Sequence, residues 1–483
     1  MQRLLKMKSK LLPILVLIFV SQIGVSQVQN FPTETWEKIE HPTLYGWDAN
    51  KLGALEEYVI DSTSTTGMMI IQNGKVVFEY GNVSENSYIA SCRKSILAML
   101  YGKYVADGTI QLDKTLEDLG ISVDGLLLEK EKKATIKDII SSRSGIYLPA
   151  ANPGDMINLA PERGSVNPGE YWVYNNWDFN MAGYIFEQET KKNIYDEIES
   201  QFAIPLQMED WDRSLQEKDG DDLVTDIMAY HIYFSTRDMA RIGLLMLNKG
   251  KWNNEQIIPE YWVEEMVKPW SSFENLDQLN PNIKNELTHY SYGYMWWLWD
   301  NPKHDVLKGA YTAQGAWGQN ITVIPKINAV IVIKTNDLYS RQSGNHNYMI
   351  DEIARIYNPQ LKESLEYLTK SIIANDVAQF VKDYRKSPPN ASQADFQGVL
   401  NRLGYQYLGL KEFEKALAIF KLNTEQHPTS WLVFDSLAEG YFRSGNYNDA
   451  LKYYEKALAL NPNNEWNNNA RVTFIIERIK QKK

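Results

Sequence analysis

The stretch YIASCRKSILAML, Tyr88 to Leu100, places Ser91 three residues ahead of Lys94, where an apolar helical pattern begins. A serine hydroxyl is a poor nucleophile at neutral pH and needs a base within hydrogen-bond reach. Residues three apart share a helix face, so the Lys94 amine can lie over Ser91. A helix start also favours developing negative charge and offers the serine's own N–H to an oxyanion. Lysine acts as a base only where burial or a nearby positive group depresses its pKa. The same spacing describes an N-cap serine followed by a basic surface residue, so the pair needs company.

Two further stretches supply it. In YWVYNNWDFN, Tyr174 and Asn176 stand two apart, so in an extended or looped segment both can face one cleft. The phenol can relay a proton, and the amide can hold the lysine or a substrate carbonyl. In GAYTAQGAWGQNITVIP, a glycine-bearing bend before a β-rich run lets backbone approach a ligand, and a strand-edge N–H there can complete an oxyanion hole. Gly315 and Ala316 are the candidates. Taken singly, the first stretch is equally a tyrosine-rich loop and the second a plain bend.

The elements that must position these residues follow from periodicity. GMMIIQNGKVVFEYG reads as two β-rich runs joined by Asn73-Gly74, a tight antiparallel hairpin. After Ser91, the residues Ile96, Leu97, Leu100, Tyr101, Tyr104 and Val105 share a helical face until Gly108. A helix is expected near Asn50 to Val59, and another over STRDMARIGLLMLNKG. The runs NITVIP and NAVIVIKTN are late strands, so the sheet is built from both ends of one α+β domain. YGYMWWLW offers Trp296, Trp297 and Trp299 as lining for an acyl pocket. Beyond about Asn358 only helical patterns remain, and the chain repeats at a period of about 34 residues. Leu403 recurs as Leu437, Gly404 as Ala438, Tyr407 as Tyr441 and Phe413 as Tyr447. Ala416 recurs as Ala450, Phe420 as Tyr454 and Pro428 as Pro462. That is the tetratricopeptide pattern, two helices whose small residues allow close crossing. The stretch Leu365 to Tyr384 is expected to add an upstream pair or to pack on the first domain, and the last helix to cap the array.

Composition bounds the function. A 483-residue chain calls for more than one core, and 44% hydrophobic residues suffice to build them. A net charge of -11 excludes a role resting on nucleic-acid phosphates. The one cysteine, Cys92, has no partner for a disulfide and reads as a small packed residue. Six scattered histidines form no metal-ligand spacing, so neither metal nor cofactor is expected. At the N-terminus, Arg3, Lys6, Lys8 and Lys10 precede the short apolar run Leu11 to Val20, with Gly24 and Ser26 beyond it. That is the layout of a secretory signal and predicts export to the periplasm or medium, with no membrane span after cleavage.

Together, Ser91-x-x-Lys94 at a helix start, Tyr174-x-Asn176 and the Gly315 turn resemble the superfamily of serine β-lactamases, penicillin-binding proteins and esterases. The resemblance covers roughly Trp36 to Asn358. YWVYNNWDFN, STRDMARIGLLMLNKGKW, YGYMWW and AQGAWGQ look most like the esterases and 6-aminohexanoate-oligomer hydrolases related to class C β-lactamases. It implies a central antiparallel sheet plus a helical subdomain, with the cleft between them. It also implies Ser91 as acylated nucleophile, Lys94 as its base or proton relay, and Tyr174 as activator of the serine or the water. Asn176 would hold Lys94 or the substrate, and the N–H groups of Ser91 and Ala316 would form the oxyanion hole. Many relatives carry Lys-Thr-Gly or His-x-Gly where this chain has Ala313-Gln314-Gly315, which weakens recognition of a β-lactam carboxylate. Lys334-Thr335-Asn336 follows the last strand and reads as structural.

The expected organisation is a signal over 1–26, a hydrolase domain over 27–358, a helical linker or degenerate repeat over 359–395 and repeats over 396–483. The expected activity is hydrolysis of a small-molecule or peptide ester or amide. The alternatives are a D-Ala-D-Ala peptidase or β-lactamase, and an inactive binding scaffold. The repeats suggest a protein or peptide partner, or a brace against the catalytic domain.

Overall fold

The computed structural model describes residues 30–481, apart from 34, 40–41, 274–289, 301, 336–345, 360–376, 387–392 and 466–467. The signal-like segment over 1–26 therefore lies outside the described residues, as do Asn336 and much of the 359–395 stretch.

Seven antiparallel strands form the main sheet: β1 (Gly67–Gln72), β2 (Lys75–Gly81), β3 (Tyr290–Tyr292), β4 (Trp297–Trp299), β5 (Tyr311–Gly315), β6 (Gln319–Ile324) and β7 (Ala329–Lys334). Their spatial order is β2-β1-β7-β6-β5-β4-β3. The N-terminal hairpin thus joins the C-terminal strands through β1 and β7, with Gly67 opposite Lys334 and Gln72 opposite Ala329. Asn73 and Gly74 both take left-handed φ values, 51° and 76°, which a two-residue turn of this hand requires. Both β1 and β7 are buried along their whole length, so their unbroken apolar runs mark central strands covered on both faces.

Helices dress this sheet. They are α1 (Ala49–Ser62), α2 (Cys92–Ala106), α3 (Asn176–Thr190), α4 (Thr236–Leu247) and α5 (His346–Ile356). α4 lies over β7, β6 and β1. Gly243 permits the close approach, because a Cβ there would run into Val330. α2 packs against β5 and against α3 of the helical insertion between β2 and β3. It is buried on nearly every side from Cys92 to Gly102. One apolar core runs through the sheet and this insertion.

The remainder is helical: α6 (Val377–Lys386), α7 (Gln393–Gly409), α8 (Phe413–Gln426), α9 (Trp431–Arg443), α10 (Tyr447–Leu460) and α11 (Asn469–Gln481). Leu403, Phe420, Leu437, Ala438 and Tyr454 share a second core with Val377 and Phe380 of α6. α6 therefore joins the array, and α11 closes it against α10. α7 packs on α1, where Gly409 approaches Ala49. Among the described residues no helix is long and apolar enough to cross a membrane.

Candidate active site

Ser91 sits at a sharp turn. The short strand Ser87–Tyr88 pairs with Tyr233–Phe234, and Ala90 then takes a left-handed φ of 48°. The chain enters α2 through a tight turn, with Cys92 N–H donating to Ile89 O and Arg93 N–H to Ala90 O. Ser91 occupies the N-cap position, yet its side chain caps nothing. Its Oγ instead lies 3.0 Å from the Lys94 amine. Lys94 is no surface residue: it is 1% exposed. The bland reading, a helix cap beside a solvated base, fails on both counts.

Lys94 Nζ has two further partners, the Tyr174 hydroxyl at 2.6 Å and Asn176 Oδ1 at 2.7 Å. Local structure brings this pair together. Tyr174 ends an extended segment, Asn175 N-caps α3 by accepting from Trp177 N–H, and Asn176 is the first helical residue. α3 thus begins at Asn176, inside the stretch that carries the candidate residues. The Asn176 Nδ2 group donates to Pro153 O at 2.9 Å and more weakly to Asn152 O. This fixes the amide with its oxygen toward Lys94.

Charge follows from burial. Desolvation pushes the Lys94 pKa well below its ordinary 10.5, the Arg93 guanidinium pushes the same way, and Asp155 opposes them. A neutral amine has two N–H donors and one lone pair. It can donate to Asn176 and still accept from the Ser91 hydroxyl. Burial drives the Tyr174 phenol above its ordinary 10, a contact with Ser91 moderating the effect, so it stays protonated. Its ring stacks on Trp297 at 5.4 Å between centroids and packs against Phe179. Lys94 is therefore a buried group with a lone pair beside the Ser91 hydroxyl, and the Tyr174 phenol keeps its proton.

The third stretch needs correction in its local structure. Gly315 is not in a bend before the strand; it ends β5, opposite Gln319, and a short turn over Ala316–Gly318 leads into β6. Gly315 is closely packed against the Ser91 turn, since a Cβ there would come 2.6 Å from Ile89 O and 3.2 Å from the Ala90 Cβ. Ala316 follows on the exposed side. Among the described residues no backbone carbonyl accepts from the Ser91 N–H outside the regular elements.

The tryptophans correct a further expectation. Trp296 and Trp299 are core residues against Tyr311 and Tyr290, and YGYMWWLW contributes β4, paired between β5 and β3. Trp297 alone touches the site, through Tyr174. Cys92 is buried, its thiol pushed up by desolvation and directed at Ala313 O. The Lys334 amine is structural, donating to Ser87 O at 3.1 Å.

Sequence reasoning missed Asp155, whose Oδ2 accepts the Asn176 N–H at 3.1 Å, and the carbonyls of Asn152 and Pro153. Only the turn residues of NPGD signal that loop. It also passed over Arg93, buried between the two candidate residues.

Sheet order, helical insertion and the serine–lysine–tyrosine cluster define a β-lactamase-fold hydrolase domain followed by helical repeats. A family model described as Beta-lactamase matches residues 54–355, and the chain belongs to that family. A Tetratricopeptide repeat model matches residues 431–464. An uncharacterized protein of Alkalihalophilus pseudofirmus is 24% identical over 315 residues, covering 59% of this chain and 87% of that protein. Among solved structures, unliganded simvastatin synthase of Aspergillus terreus is similar with a TM-score of 0.50 at 13% identity, covering 65% of this chain and 99% of its own. A Bacillus anthracis protein described as a 6-aminohexanoate-dimer hydrolase is similar with a TM-score of 0.49 at 20% identity, covering 70% of this chain and 90% of its own.

Proposed function

We propose that this protein is an exported serine hydrolase that cleaves an ester or amide through an acyl-enzyme on Ser91. The observation that carries the reading is the buried Lys94 amine, in contact at once with Ser91, Tyr174 and Asn176. The Lys94 lone pair takes the Ser91 proton as Oγ bonds to the substrate carbonyl carbon. The carbonyl electron pair moves onto oxygen, where the N–H groups of Ser91 and Ala316 receive it. Collapse breaks the bond to the alkoxide or amine, which leaves with the proton passed through Lys94 and Tyr174. Water then attacks the acyl carbon by the same route, restoring the serine. The substrate is a small molecule or a short peptide. Export rests on the basic and apolar N-terminal run.

The test is labelling of the mature protein with a fluorophosphonate, and turnover of p-nitrophenyl acetate, beside Ser91→Ala. Labelling that maps to Ser91 and vanishes in the variant supports the reading. Equal inertness of both proteins sinks it and favours a binding scaffold. Stable labelling by a penicillin would instead favour a D-Ala-D-Ala peptidase.

A further inference from the structure

Arg93 lies between Ser91 and Lys94 in sequence, but its side chain leaves α2 toward α3 and the short strand Ala229–His231. It is 1% exposed. Nη2 donates to Asn180 Oδ1 at 3.2 Å, and the guanidinium carbon stands 4.5 Å over the Tyr230 ring. Nε and Nη1 meet no acceptor in hydrogen-bond geometry among the described residues. The groups that act on its charge are the phenols of Tyr230, Tyr88 and Tyr174, Tyr88 also through a hydrogen bond, with no carboxylate among them. A buried guanidinium without a counter-ion is costly, and a fold keeps one only where something else depends on it.

Lys94, one residue on, is the group with most to gain. From α2 it faces Ser91, Cys92 and Arg93. From the 151–155 loop it faces Asp155, and from α3 and its approach Tyr174, Asn176 and the Phe179 ring. Lys334 of β7 lies beyond Cys92. On the far side of Arg93 stand Tyr195 and His231, whose own proton affinity Arg93 lowers. Asp155 is the carboxylate acting on Lys94, and its Oδ2 is already engaged by the Asn176 N–H. The two Tyr174 and Phe179 ring faces, at 4.2 and 4.4 Å, favour a charged amine. Desolvation by burial opposes them first, and the Arg93 guanidinium pushes the same way.

We propose that Arg93 is the positioning residue that keeps Lys94 in its proton-free form. Arg93 and Lys94 bond to Asn180 and Asn176, one turn apart on α3, so a guanidinium with no carboxylate of its own opposes a second positive charge on that face. The proposal rests on Lys94 being the base for Ser91. Removing or neutralising the guanidinium lets Lys94 hold its proton more tightly. The acid limb of acylation then moves to higher pH, while the high-pH rate is retained.

The experiment is the pH profile of Ser91 acylation by p-nitrophenyl acetate for wild type, Arg93→Met, Arg93→Lys and Asn180→Asp. The last variant keeps the guanidinium and its hydrogen bond but supplies a carboxylate, with little change of volume. Both Arg93→Met and Asn180→Asp should move the limb upward by about one pH unit or more, with roughly ten-fold slower acylation below it. Arg93→Lys should restore the wild-type limb. If Arg93→Met does not fold, as judged by circular dichroism, Arg93→Gln takes its place, with the same upward shift of the limb expected. Uniform slowing with an unmoved limb would overturn the proposal and leave Arg93 a structural residue. A wild-type protein that is never acylated on Ser91 would overturn the hydrolase reading itself, and this proposal with it.

Discussion

A lysine amine held among a hydroxyl, a phenol and an amide oxygen has one chemical advantage over any cation of similar shape, a lone pair. Lys94→Arg keeps length and hydrogen bonds but cannot give up its proton. The expected outcome is a loss of roughly 10²–10⁴-fold in the rate of Ser91 acylation, with near-wild-type circular dichroism. For the wild type the sign is set by the depressed pKa. Acylation should fall as pH drops through the Lys94 value, because protonation removes the lone pair. Gly315→Val tests the opposite wall. The new branches would press on Ile89 O and Ala90, forcing β5 away from the Ser91 turn, and acylation should slow. At this scale the sequence is informative where spacing alone decides geometry. Ser91 and Lys94 meet because helix positions three apart do, and Tyr174 and Asn176 because they straddle one helix start. Asp155, Asn152 and Pro153 were illegible, since a loop brings them to Asn176 and no period in the sequence records that fold. Arg93 was hidden for another reason: a basic residue on a helix normally reads as solvated.

At the scale of elements, the end of β7 is coupled to the approach to Ser91. Lys334 reaches across from the last residue of β7 to the carbonyls of Ser87 and, more loosely, Glu85, and so anchors the short strand that leads into the Ser91 turn. Burial lowers its pKa from 10.5 to about 7. The unfolded chain would hold this proton up to about 10.5 while the folded one releases it near 7. Between those values unfolding takes up a proton, so this group makes stability rise with pH across that window. Lys334→Met should flatten the rise in melting temperature between about pH 7 and 10, leaving the slope of the same sign that Lys94 contributes. An unchanged pH slope would show that Lys334 titrates alike in both states. The central strands were legible because an unbroken apolar run bounded by turn residues fits little else. β3 and β4 were not: three-residue strands at one end of the sheet, rich in tyrosine and tryptophan, carry too few residues for alternation to show, and the aromatic side chains suggested a pocket lining instead.

Over the whole molecule, two cores meet where α7 packs on α1. The repeat core is organised around Phe420, fully buried, with Gly404 of α7 and Gly440 of α9 both giving way to its ring. Gly404, which recurs as Ala438, is one of the small positions that the repeat pattern encodes, which is why this unit could be read from recurrence alone. The contact of α7 with α1 could not, because neither surface carries a period that names its partner. If the two cores fold as separate cooperative units, damage to one need not reach the other. Phe420→Ala should cost the repeat unit about 3–5 kcal/mol. Calorimetry should then show its transition moving down and separating from that of the sheet domain, with Ser91 acylation at its wild-type rate below the first transition. A single transition that shifts as one, together with lost acylation, would mean that the α1–α7 contact binds the two into one folding unit. In that case the repeats brace the hydrolase fold, since α1 leads directly into β1 and the sheet that carries Gly315 to Ser91.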